Sequence, residues 1–227
     1  MSPKMAKWLS RSHAAAGNRE RAHEVAAGHQ EDPELRVILD ETRPERPVAE
    51  ELPQARKIWV VYGRDEQMRK ALFEFLRAVG LHPMSFDAAL QGTAQGAPYV
   101  GDVLEHAFQQ AQAVAVLLTG DDVARLRREF VRYSDPECER EPTPQARPNV
   151  LFEAGMAMGR KPEKTVFVQA GFTRPFSDIS GRHVVRVDNS ADSRWKLAKR
   201  LESIGCAVDL DNPDWMSSGN LEPTLDS

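Results

Sequence analysis

Three short clusters hold the residues whose types and spacing can do chemistry. In Arg147-Pro148-Asn149-Val150-Leu151-Phe152-Glu153-Ala154-Gly155, one carboxylate, Glu153, sits among small residues that continue through Ala157 and Gly159. If Asn149 caps a helix, Glu153 falls in its first turns, where the helix dipole favours the ionised form. A carboxylate held ionised beside a cleft can stabilise or attack an oxocarbenium-like centre, as in glycosyl chemistry. It is also explained as a glutamate that merely compensates the dipole. Thr119-Gly120-Asp121-Asp122 offers a hydroxyl and two carboxylates, suited to ribose hydroxyls or to plain helix capping. Gly63-Arg64-Asp65 combines a turn-forming glycine with a planar cation, a phosphate-holding arrangement. There too the plainer reading stands, with Asp65 a helix cap and Arg64 a surface residue. No serine or cysteine triad is visible. Three of the six histidines, His13, His23 and His29, lie near the N-terminus, and no His or third acid clusters with Asp121 and Asp122 to suggest a metal. Cys138 stands among Pro and Glu residues, a setting that disfavours the thiolate.

Each cluster follows or opens an element with a definite period. Ile58 to Tyr62 is an unbroken apolar run ended by Gly63, as expected of a strand buried on both faces. Met68, Ala71, Leu72, Phe75, Leu76 and Val79 then recur at helical spacing up to Gly80. His82 to Phe86 suits a short strand. Val100 to Ala111 repeats the helical spacing, and Ala113 to Leu118 is another buried strand. Val150 to Gly159 reads as a small-residue helix, Thr165 to Gln169 and His183 to Val187 as strands, and Ser193 to Ile204 as a last helix. Strands alternating with helices imply parallel pairing with right-handed crossovers, hence an α/β fold with an open sheet of about five strands. In such sheets ligands bind beyond the carboxyl ends of the strands, which is where the three clusters fall.

The chain has 227 residues, 41% hydrophobic and 28% charged, enough for one sizeable core. No apolar run approaches the length that crosses a bilayer, and a formal net charge of −4 gives no broad pull toward nucleic acid. That charge is uneven: residues 1–56 sum to −1, 57–205 to +2 and 206–227 to −5. The expected organisation is a charged, partly helical N-terminal arm and linker (1–56), one catalytic-sized domain (57–205) and an acidic C-terminal tail (206–227). In the arm a weak helix is expected over Asn18 to Gln30. Leu35, Val37, Ile38 and Leu39 are its apolar cluster, read as docking on the main body, and Thr42 to Pro53 reads as a linker with three prolines. The polar stretch Val123 to Arg147 reads as a long loop, either a lid or disordered. Two cysteines, Cys138 and Cys206, fit a reducing cytoplasm better than a disulfide framework.

The three clusters, with Pro175-Phe176-Ser177-Asp178-Ile179-Ser180-Gly181, occur in one order that resembles the predicted nucleotide-binding TIR-like domain of prokaryotes. That family is found alone and in antiphage signalling effectors. The resemblance covers about residues 57–205, and Asn-Val-x-Phe-Glu-x-Gly is its most specific part. It implies a flavodoxin-like TIR fold and cleavage of the nicotinamide N-glycosidic bond of NAD, as substrate and with no separate cofactor. Glu153 matches the family's catalytic glutamate. By the same resemblance Gly63, Arg64, Asp65, Thr119, Asp121, Asp122 and Asn149 bind or shape the nucleotide. The chain departs from the family at Tyr62, where His is common, at Gly120, where Pro is usual, and at Met158-Gly159-Arg160.

The resemblance further implies a cytoplasmic antiphage NAD hydrolase that works as a homo-oligomer, because TIR enzymes commonly gain activity when assembled. A separately encoded sensor or nucleotide signal is a possible partner; nucleic acid and membrane are not expected partners. The alternatives are a nucleotide-binding module without turnover and a TIR scaffold that only assembles. A deoxyribosyl transferase shares the sheet and the carboxylate but needs a deoxynucleoside substrate.

Overall fold

The computed structural model describes residues 3–15, 19–29, 32–41, 53–92, 97–176, 179 and 181–223. Two compact units divide at Glu51 and Leu52. In the first, α1 (Pro3–Ala15), α2 (Arg19–Ala27) and α3 (Pro33–Glu41) enclose a small core of Ala6, Ala26, Leu35 and Ile38. Leu35 and Ile38 therefore serve their own helices, where the sequence suggested docking elsewhere. Most of the linker expected over Thr42 to Pro53 lies outside the described residues.

The second unit is built on a five-stranded sheet. Its strands are β1 (Lys57–Val61), β2 (His82–Met84), β3 (Ala113–Leu118), β6 (Thr165–Ala170) and β7 (Val184–Val187). They lie in the order β2-β1-β3-β6-β7, all parallel. Every residue of β3 is buried, because helices cover both faces of the central strand. On one face pack α4 (Glu66–Ala78) and α9 (Ala191–Ser203). On the other lie α5 (Phe86–Gly92), α6 (Val100–Gln110) and α8 (Pro148–Arg160). This is a flavodoxin-like architecture, as the resemblance implies. The chain leaves β1 for β2 on one side and returns to β3 on the other, and beside such a reversal of strand order open α/β sheets commonly bind ligands.

Two expectations of irregular chain are corrected. Residues 123–147 form neither a free loop nor a bare lid. Strand β4 (Asp122–Ala124) pairs antiparallel with β5 (Thr143–Gln145), with the short helix α7 (Glu137–Arg140) between them. Pro144 disguised β5; a two-stranded ladder tolerates proline because one edge of each strand needs no donor. Arg174 fastens the hairpin by pairing with Glu139 and by donating its backbone N–H to the Pro144 carbonyl at 2.7 Å.

The stretch from Cys206 is not a solvated tail, at least as far as Pro223. Trp215 and Leu221 are buried in the main core, and Asp209 donates its backbone N–H to the Val79 carbonyl at 2.9 Å. Its acids Asp209, Asp211, Asp214 and Glu222 stay at the surface. Net charge describes the exposed half of this segment, while the buried half is apolar. Burial also pushes the Cys206 thiol up to about 11. Among the described residues no helix is long and apolar enough to cross a membrane.

Candidate active site at the carboxyl ends of the strands

The turn after β1 is shaped by one close approach. A Cβ on Gly63 would stand 1.8 Å from Asp121 Oδ2, so only glycine lets that carboxylate reach the turn. Asp121 accepts the Arg64 backbone N–H there at 2.5 Å, tying the loop after β3 to the loop after β1. Next along, Asp65 caps α4 by accepting the Met68 backbone N–H at 2.8 Å. Both carboxylates thus have architectural duties, and the cap reading holds for Asp65. They also wall a cavity of about 460 Å³ with Arg64, Met68, Thr119 and Phe172. That volume lies in the range of small-ligand sites. Arg64 is the only cationic side chain among the residues described on this wall, at the N-terminus of α4, where anions are favoured.

Of the residues singled out in sequence, the structure gathers Gly63, Arg64, Asp65, Thr119 and Asp121 here. Asp122 stands apart, in β4, paired with Arg147 at 3.7 Å across the base of the hairpin. Asn149 is exposed and does not cap α8. The helix begins at Pro148, whose fixed φ and missing N–H suit the first helical position, so Arg147 becomes the cap residue. The block Pro175 to Gly181 keeps Pro175, Phe176, Ile179 and Gly181 in view; Ser177, Asp178 and Ser180 lie outside the described residues.

The earlier start of α8 changes the electrostatics of Glu153. It stands in the second turn, where the dipole's influence has faded. Burial is the cause that acts, and it pushes the Glu153 carboxyl above the ordinary glutamate range. The expectation of a carboxylate held ionised by the helix is corrected accordingly. Glu153 has no ion-pair or hydrogen-bond partner for its side chain among the described residues. It does not line the cavity of Arg64 and Asp121.

Its charge is felt instead by Tyr62, at the end of β1. Burial pushes the Tyr62 hydroxyl up; Arg69 opposes this, and Asp87, Glu66 and Glu153 add to it. The Arg69 guanidinium lies 5.2 Å from the Tyr62 ring centre, and Phe73 meets that ring edge-on at 6.0 Å. Tyr62, Arg69 and Asp87 were not among the candidate site residues. The signal for Tyr62 was its place beside Gly63; Asp87 lay in α5, a helix without visible periodicity. On α8 itself, Ala154 and Ala157 are buried toward the sheet, whereas Gly155 and Gly159 face open space and Phe152 is exposed. No group of three or more His, Cys, Asp or Glu gathers among the described residues in a way that would hold a metal.

A family model for the TIR domain of CAP12/Pycsar effector proteins matches residues 57–189. The chain belongs to that family. The matched stretch runs from the first residue of β1 to just beyond β7, so it holds the whole sheet, the wall of the Arg64 cavity except Pro223, and Glu153. Such TIR domains are parts of prokaryotic antiphage effectors. Over 193 residues the chain is also 25% identical to the uncharacterized protein YuaY of Escherichia coli strain K12, covering 84% of this chain. It spans only 55% of the length of that relative.

Proposed function

We propose that this TIR domain hydrolyses NAD at the nicotinamide N-glycosidic bond, as an effector of antiphage defence in the cytoplasm. The observation that carries the reading is Glu153: a half-buried carboxylate without a partner, in the family's most specific motif, on the side of the sheet where ligands bind. A desolvated carboxylate with no cation of its own attracts a passing positive centre more strongly than a solvated one. In the reaction the C1′–N bond breaks and its electron pair leaves with nicotinamide, which departs neutral. The ribose carbon becomes oxocarbenium-like, and ionised Glu153 stabilises it. Water then adds to that carbon and releases a proton, giving ADP-ribose. Arg64 and the α4 N-terminus are suited to the pyrophosphate, with Thr119 and Asp121 within the same cavity for ribose hydroxyls.

The purified chain incubated with NAD should release nicotinamide, measured by chromatography. Glu153→Gln keeps the shape and removes the charge, and turnover should fall at least about a hundredfold, the scale of lost electrostatic stabilisation in an active site. Unchanged turnover in that variant rejects the role of Glu153. One observation favours a second reading, nucleotide binding without turnover: Glu153 lies off the wall of the Arg64 cavity. Under that reading NAD binds and Arg64→Gln weakens it, yet no nicotinamide appears at any protein concentration.

A further inference from the structure

Parallel strands need a crossover connection, which is usually helical and covers the sheet face it crosses. Between β6 and β7 the described residues contain no α-helix. Described residues of this connection line a hollow of about 710 Å³. The hollow reaches the β7 edge of the sheet, where Arg186 of β7 and Lys196 of α9 stand on its wall. It is larger than the Arg64 cavity, and of the residues on its wall only Phe172 also lines that cavity.

The wall has an unusual composition for a chain of net charge −4. Among the described residues it carries Arg174, Arg182, Arg186 and Lys196 with His183, and no Asp or Glu. Two of these cations are already answered from outside the wall, Arg174 by Glu139 and Lys196 by Asp192. Arg182 and Arg186 have no ion-pair partner among the described residues. Their planar forks match phosphate oxygens, and guanidinium is the side chain best suited to bidentate binding of such groups. Apolar surface stands on the same wall: the rings of Phe172 and Phe176, with Ile179 and Val184. Fixed cations beside aromatic faces make a site for a ligand that is anionic at one end and flat at the other.

We propose that this hollow is a second ligand site, separate from that of Glu153, for a small phosphorylated molecule bearing a flat ring, of mononucleotide size. Arg182 and Arg186 hold the phosphate, and the ring lies against Phe172 and Phe176. Binding here requires this wall alone and does not depend on NAD turnover.

The probe is AMP, titrated calorimetrically into the 227-residue chain, with inorganic pyrophosphate as the ring-less comparison. AMP should saturate at or below about 1 mM and bind more tightly than pyrophosphate. The double variant Arg182→Gln/Arg186→Gln should weaken AMP at least about tenfold. Both side chains are exposed, so its melting temperature should match the parent and separate lost binding from lost folding. Phe176→Ala should remove most of the advantage of AMP over pyrophosphate. The proposal is overturned if AMP does not bind, if Arg64→Gln abolishes binding while the double variant keeps it, or if pyrophosphate binds as tightly as AMP.

Discussion

Glu153 carries two opposed demands. Burial favours its neutral form, while the proposed stabilisation of a positive sugar requires the anion. Folding therefore disfavours its ionisation, and the sign of the consequence is fixed. The folded carboxyl binds its proton more tightly than the unfolded one, so its contribution to stability falls as pH rises through the ordinary glutamate range to the raised value. Below that window both states are protonated and the residue is neutral with respect to folding. Glu153→Gln should accordingly raise the melting temperature near pH 7, with the gain vanishing once the pH drops below the ordinary range. Thermal denaturation of both proteins across pH checks this; a variant less stable at neutral pH would show that the carboxylate is paired after all. Turnover should run the other way, rising with pH as Glu153 ionises. The candidacy of this residue came from the sequence, because Asn-Val-x-Phe-Glu-x-Gly is specific. Its environment did not, since the helix starts two positions earlier, at Pro148 and not Val150, and burial is a property of the assembled sheet.

At the scale of elements, period carried most of the information. The apolar runs of β1 and β3 and the helical spacing from Met68 to Val79 mark buried strands and an amphipathic helix, and they lead directly to the sheet. What failed to show were elements whose stability comes from contacts distant in sequence. The β4–β5 hairpin depends on Arg174, some thirty residues beyond Pro144, and the chain after α9 hides its apolar residues among acids. Two features fix that last segment. The Arg194 guanidinium, 1% exposed as a residue, donates to the Ser218 and Gly219 carbonyls, each at 2.5 Å, while lying 5.9 Å from the Phe75 ring centre. Gly219 has φ +73°, and a Cβ there would stand 2.1 Å from the Ala71 carbonyl oxygen of α4. Gly219→Ala combines a left-handed backbone with a backbone clash and should cost about 2 kcal/mol or more. Urea denaturation measures it, and a loss below about 0.5 kcal/mol, the level of a neutral surface change, would mean that this segment is not part of the folded core.

For the whole molecule the question is what completes the site. The described chain does not close it: Glu153 lies off the Arg64 cavity, Gly155 and Gly159 face open space, and Phe152 is exposed beside them. A second protomer against α8 would enclose Glu153 and exclude water, which strengthens electrostatic stabilisation of a cationic sugar. If a neighbour completes the site, activity per protomer obeys mass action. It rises with protein concentration while protomers are mostly free, and levels off once they are assembled. The helical unit Met1–Glu51, with its own small core, is then proposed as a device that raises the local concentration of catalytic units. Nicotinamide release per protomer should therefore rise with concentration for the full chain. For residues 52–227 the same rise should need at least about tenfold more protein, within the range that linkage of binding modules commonly provides. Superimposed curves would remove the N-terminal unit from assembly and leave α8 alone to drive it. Flat curves for both proteins would instead locate a complete site in each single chain.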